Sequence, residues 1–125
     1  MIKGIHHVSL RCSGEAKRAE VIRFYRDLLG LPLVRQWPNG LMFDTGAGIV
    51  EVITNQDGTP DAGAIPHFAL ATEDVDEYAR IVAAEGYEII KSPRDIVIAS
   101  DPPLPARIAF CRGPLGEEVE FFWQK

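Results

Sequence analysis

Two stretches of this chain repeat each other, and the repeat limits what it can fold into. Ile5-His6-His7-Val8-Ser9-Leu10 and Ile65-Pro66-His67-Phe68-Ala69-Leu70 both read Ile-x-His-apolar-small-Leu, at an offset of 60 residues. A helical pattern follows each. In the first, Val21, Ile22, Tyr25, Leu28 and Leu29 recur at helical spacing, and Gly30 stands where a cap belongs. In the second, Val75, Tyr78, Ile81 and Val82 do the same, closed by Gly86, with Asp74 and Glu77 as a capping pair. Strands are expected next at about 33–37, 41–44 and 49–54, and again at about 87–91, 107–111 and 118–123. The last strand of each half carries a glutamate among apolar residues, Val50-Glu51-Val52 and Val119-Glu120-Phe121, now 69 residues apart. The longer offset predicts a longer loop in the second half. Ser100–Pro105, with three prolines in four residues, is the expected place, because such a run cannot pair in a central strand. Asn55–Gly63, rich in Gly, Asp, Asn and Pro, reads as the connector. The expected fold is α+β: two tandem βαβββ modules, about 1–54 and about 64–125, in one domain.

Strand alternation assigns the faces. His7, Ser9 and Arg11 share one face of the first strand, opposite His6, Val8 and Leu10. His67 and Ala69 share one face of its counterpart, opposite Phe68 and Leu70. The same rule groups Ile49, Glu51 and Ile53, and Glu118, Glu120 and Phe122. A strand histidine alone is ordinarily a surface or core residue. A strand glutamate between apolar neighbours is ordinarily the solvent half of an alternating pattern. One of each at equivalent places in both repeats points further. If the modules are related by pseudo-symmetry, His7, Glu51, His67 and Glu120 face a shared cleft. Two imidazoles and two carboxylates suit Zn²⁺, Ni²⁺, Co²⁺ or Fe²⁺ and leave positions open for water or substrate.

Composition narrows the partners. The 125 residues are 46% hydrophobic and 25% charged, enough for a core in a soluble chain. A net charge of -5 and scattered basic residues argue against nucleic acid. No apolar run reaches the roughly 20 residues that span a bilayer, and the N-terminus lacks the pattern of a secretory signal, so a cytoplasmic location is expected. Lys17 and Arg18 read as a solvated helix face. Cys12 and Cys111 read as buried thiols.

Four segments carry a resemblance: Gly4–Leu10, Phe24-Tyr25-Arg26-Asp27-Leu28-Leu29-Gly30-Leu31, Ile65–Leu70, and Gly113-Pro114-Leu115-Gly116-Glu117-Glu118-Val119-Glu120-Phe121. The chain resembles the vicinal-oxygen-chelate superfamily over essentially its whole length. That superfamily includes glyoxalase I, extradiol dioxygenases, methylmalonyl-CoA epimerase, and the fosfomycin and bleomycin resistance proteins. The resemblance implies paired modules whose sheets form a U-shaped metal cleft, usually in a homodimer. Bacterial glyoxalase I uses His, Glu, His, Glu at the positions held here by His7, Glu51, His67 and Glu120. It also implies that Arg11 and Asn55, four residues beyond the first two ligands, bind glutathione. The stretch after Glu51, Val-Ile-Thr-Asn-Gln, departs from the Leu-Thr-x-Asn-Trp typical of that enzyme.

What the resemblance implies for chemistry is a lyase or isomerase that takes a small carbonyl or hemithioacetal substrate through an enediolate. One divalent ion (Zn, Ni or Co) would bind the substrate oxygens, with glutathione as candidate co-substrate. Glu120 would move the proton, with Glu51 as its partner. Trp37, Phe43, Phe122 and Trp123 are candidates to line a pocket. The alternatives on this scaffold are an iron-dependent ring-cleaving dioxygenase, an epimerase, or a resistance-type protein that sequesters a ligand without chemistry.

Overall fold

The computed structural model describes residues 1, 5–12, 14–54, 67–100 and 102–125. The connector Asn55–Gly63, and with it Asn55, lies outside them. The chain divides into two compact units, Met1–Gly63 and Ala64–Lys125. No described helix is long and apolar enough to cross a membrane.

The first unit runs β1 (His7–Arg11), α1 (Glu15–Ile22), β2 (Leu33–Trp37), β3 (Gly40–Asp44) and β4 (Ile49–Ile53). The second runs β5 (Phe68–Ala71), α2 (Val75–Ala84), β6 (Ile89–Ile98), β7 (Leu104–Arg112) and β8 (Glu118–Gln124). Each unit is thus a βαβββ module with a four-stranded mixed sheet. The orders are β1-β4-β3-β2 and β5-β8-β7-β6. In each, the last strand lies parallel to the first and antiparallel to the third.

The helices cover one face of each sheet. In the first module Val21, Phe24 and Tyr25 are fully buried with Leu41, Phe43, Val50 and Val52, and the Tyr25 ring packs 5.4 Å from that of Phe43. In the second, Val75 and Val82 are buried with Val119 and Phe121, and Tyr78 stacks on Phe121 at 5.5 Å. Phe43 is therefore core, not pocket. Trp123, opposite Arg107 and carrying the Lys125 ammonium over its ring, lies on the face away from Glu120.

Four local expectations are corrected. Beyond Ile22 the helix widens into a π-helical turn, Arg23–Leu28, with Leu29 N–H donating to the Phe24 carbonyl five residues back. The wider turn lets the neighbours Phe24 and Tyr25 both face the core. Asp74 stands at the N-cap of α2 but makes no side-chain cap; its N–H donates to the Thr72 hydroxyl at 3.0 Å, and Glu77 is taken up by Arg80 at 2.6 and 2.8 Å. Arg18 is not merely solvated: it donates to the carbonyls of Trp37 and Pro38, tying α1 to the β2–β3 turn. Finally, the proline-rich stretch is only partly loop. β7 begins at Leu104, and Pro105 pairs with Val97. Pro105 tolerates this place because it stands at the end of β7, its carbonyl accepting the Lys125 N–H. The extra residues of the second half go instead into a long β6–β7 hairpin. Pro93 lies in β6, an edge strand, at a break in register between Lys91 and Arg94.

Candidate metal and substrate site

β1 and β4 run parallel with Ser9 opposite Glu51, and Glu51 in turn opposite Met42 of β3. Directly opposed residues share a face, so Ser9, Glu51 and Met42 form a row across the sheet, away from α1. His7, two residues before Ser9, is on the same face. Its Nε2 lies 3.8 Å from Glu51 Oε1, and the Ser9 hydroxyl donates to that same oxygen at 3.0 Å. His6 does not reach Glu51 among the described contacts. Its Nδ1 is 3.1 Å from His7 Nδ1, so one imidazole N–H donates to the other and helps orient the His7 ring.

The second module repeats the arrangement. Ala69 stands opposite Glu120, and Glu120 opposite Phe110. His67, immediately before β5, brings its Nε2 to 3.2 Å from Glu120 Oε2, and its ring meets Phe110 edge-on at 5.1 Å. Glu120 is only 7% exposed, the one buried charged residue among the described residues. Burial pushes its carboxyl above the ordinary range, while His67 and then Lys91 oppose that rise.

The donor chemistry fits a divalent cation of the zinc or nickel kind. Such an ion takes histidine nitrogen at about 2.0–2.1 Å and carboxylate oxygen at about 2.0–2.2 Å, so neighbouring donors lie about 3 Å apart. The His67–Glu120 pair has that spacing, at 3.2 Å, and the His7–Glu51 pair is wider, at 3.8 Å. Each module supplies a pair. Among the described residues no group of three or more such side chains is gathered.

Arg11 is exposed at the end of β1, on the His7 face by alternation. Phe122 lies on the Glu120 face, opposite Ile108. Trp37 lies on the Glu51 face: it pairs with Gly40, where a Cβ would overlap its ring. Cys12 and Cys111 are both buried, and burial pushes the Cys111 thiol up to about 12.

The family model described as Glyoxalase/Bleomycin resistance protein/Dioxygenase superfamily matches residues 4–121. The chain belongs to that superfamily. Solved structures similar to this glyoxalase-superfamily chain cover nearly all of it. A putative glyoxalase family protein from Bacillus anthracis is 22% identical, with a TM-score of 0.75, covering 100% of this chain and 98% of that one. A lactoylglutathione lyase from Agrobacterium tumefaciens is 21% identical, with a TM-score of 0.67, covering 98% and 95%. A glyoxalase/bleomycin resistance protein/dioxygenase from Alicyclobacillus acidocaldarius is 16% identical, with a TM-score of 0.70, covering 98% and 92%. No curated protein matches the chain.

Sequence reasoning missed one residue on each of these two sheet faces. Met42 and Phe110 flank the two glutamates at equivalent register positions, and a basic residue lies beyond each of them. Pairing one strand further across each sheet was the signal that could have found them.

Proposed function

We propose that this protein is a divalent-metal-dependent lyase or isomerase of the glyoxalase I type. His7, Glu51, His67 and Glu120 together hold one ion of the zinc, nickel or cobalt class. The observation that carries this reading is the repeated pair: in each module one imidazole Nε2 stands beside one carboxylate oxygen on the helix-free sheet face, at 3.8 and 3.2 Å. A bound divalent cation supplies positive charge to the oxygens of a carbonyl substrate, stabilising the negative charge that develops as a neighbouring carbon loses its proton.

The chain's own residues divide the remaining work. Glu120 takes and returns the proton. It is the more deeply buried carboxylate, and the Phe110 ring next to it excludes water from the place where the proton moves. Glu51 is held by the Ser9 hydroxyl and serves as the fixed carboxylate. Arg11, exposed at the end of β1, holds a substrate carboxylate in a bidentate pair; Asn55, outside the described residues, is assigned to the same co-substrate by the family resemblance alone. A hemithioacetal of methylglyoxal and glutathione is the substrate this reading names first; the lactoylglutathione lyase from Agrobacterium tumefaciens shares the fold.

The test is formation of lactoylglutathione by purified protein supplied with Ni²⁺ or Zn²⁺, together with metal analysis. One ion per site, lost in His7→Ala and Glu120→Ala, is the expected result. Stoichiometric metal retained in both variants would overturn the ligand set. Fe²⁺-dependent aerobic ring cleavage, or tight ligand capture without turnover, would replace the reaction.

A further inference from the structure

The repeat extends beyond the histidines and glutamates, through a backbone irregularity that occurs twice. In the first module Leu33 pairs with Phe43, and Arg35, not Val34, pairs with Met42. In the second, Ile89 pairs with Cys111, and Lys91, not Ile90, pairs with Phe110. Each edge strand thus carries one extra residue at the same place. A regular ladder would set the apolar Val34 or Ile90 opposite the residue that flanks the glutamate. The bulge brings a cation there instead. Bulges of this kind re-aim side chains and recur beside functional sites.

The outcome is the same row in both sheets. Arg35, Met42, Glu51 and Ser9 cross the first, and Lys91, Phe110, Glu120 and Ala69 cross the second. Strands lie about 4.8 Å apart, so each cation's backbone is about 10 Å from that of the glutamate, within the span of a small molecule lying on the face. Lys91 reaches inward: its ammonium lies 4.8 Å over the Phe110 ring. Among the described residues neither Arg35 nor Lys91 has an ion pair with a carboxylate, although this chain carries more acidic than basic residues.

We infer that Arg35 and Lys91, besides Arg11, recognise an anion, each on its own module's sheet face, and that the substrate carries a carboxylate set off from its reacting carbon by an apolar body that lies on Met42 or Phe110. The inference deepens the proposed function and rests on the same sheet faces. A competing role for cations on edge strands is to block edge-to-edge pairing. That role needs charge on the edge, not the same bulge, the same register and the glutamate's own face in both modules.

The experiment measures calorimetric binding of two acids with different bodies on the metal-loaded protein: S-hexylglutathione against its dimethyl ester, and phenylacetate against its methyl ester. Lys91→Met and Arg35→Met are expected to weaken binding of the acids at least tenfold with metal content unchanged, while Lys91→Arg keeps it. The esters are expected to bind weakly and equally to all variants. Acid binding unchanged in both Met variants overturns the inference, and more so if those variants aggregate. Esters that match the acids, or a wild-type protein that binds neither acid, also overturn it. Turnover is read separately. Charge-dependent binding without lactoylglutathione formation removes the proposed reaction but keeps the anion residues; turnover with unaffected Met variants does the reverse.

Discussion

The two modules share an order of elements, a sheet topology and a cross-sheet row, yet they surround their glutamates differently. Glu51 accepts a hydrogen bond from Ser9, and its histidine stands 3.8 Å away. Glu120 has Ala69 where the other has a hydroxyl, a histidine at 3.2 Å, and an aromatic ring in place of Met42. The cores beneath differ in a compensating way. Leu41 pairs with Val52 in one, and Ala109 with Phe121 in the other, all fully or almost fully buried. A large–medium pair and a small–large pair fill equivalent space, as close packing requires. One backbone plan can therefore hold two chemically distinct carboxylates while its core drifts in sequence.

The largest expected effect tests whether the carboxylates differ in task. Glu120→Gln should lower kcat by roughly a thousandfold, within the range for loss of a general base. Glu51→Gln should act mainly on metal affinity. Steady-state kinetics at saturating metal separates the two, and equal losses of kcat would erase the distinction. Next comes the core. Leu41→Ala should cost about 3 kcal/mol by cavity formation, and Ala109→Leu about 1–3 kcal/mol by overpacking. Adding Phe121→Val to Ala109→Leu should recover part of that loss in urea denaturation. No recovery would mean the two cores are not volume equivalents.

The smallest effect concerns how each helix is tied down. Arg107 holds Asp76 of α2 through two guanidinium hydrogen bonds, and these hold the Asp76 carboxyl below its usual range. A lowered folded-state pKa stabilises above the ordinary aspartate value of about 3.8 and is lost as pH falls through the lower one. Arg18 ties α1 to neutral carbonyls instead. Asp76→Asn should flatten the decline of the urea midpoint between about pH 5 and pH 2, whereas Arg18→Gln should shift the midpoint without changing that slope. Both residues are solvent-accessible, so added salt should shrink the Asp76 effect.

Much of this was legible because alternation and repetition are properties of side chains. Strands β2, β3 and β4 fall within a residue of where apolar alternation puts them, and the offsets of 60 and 69 residues match the pairings Ser9–Glu51 and Ala69–Glu120. What was not legible depends on the backbone and on competition between partners. Nothing in Val34-Arg35 or Ile90-Lys91 marks a bulge, since either residue could occupy a regular ladder. The π turn after Ile22 keeps the apolar spacing of an ordinary helix nearly intact. Asp74 and Glu77 suit a cap, but Arg80 offers Glu77 a closer charge. The rule that keeps proline out of central strand positions does not reach Pro105, which stands at a strand's end.

In each module the final strand inserts between the first and the third, so the histidine and its glutamate come from segments joined by most of the module's length. Such long-range closure is slow, because loop entropy is lost before the contacts that repay it are made. Neither donor pair therefore exists in a half-assembled sheet. Any cation that binds these pairs rewards completion of the fold and nothing earlier, so metal supply would act on the yield of native protein as well as on its chemistry.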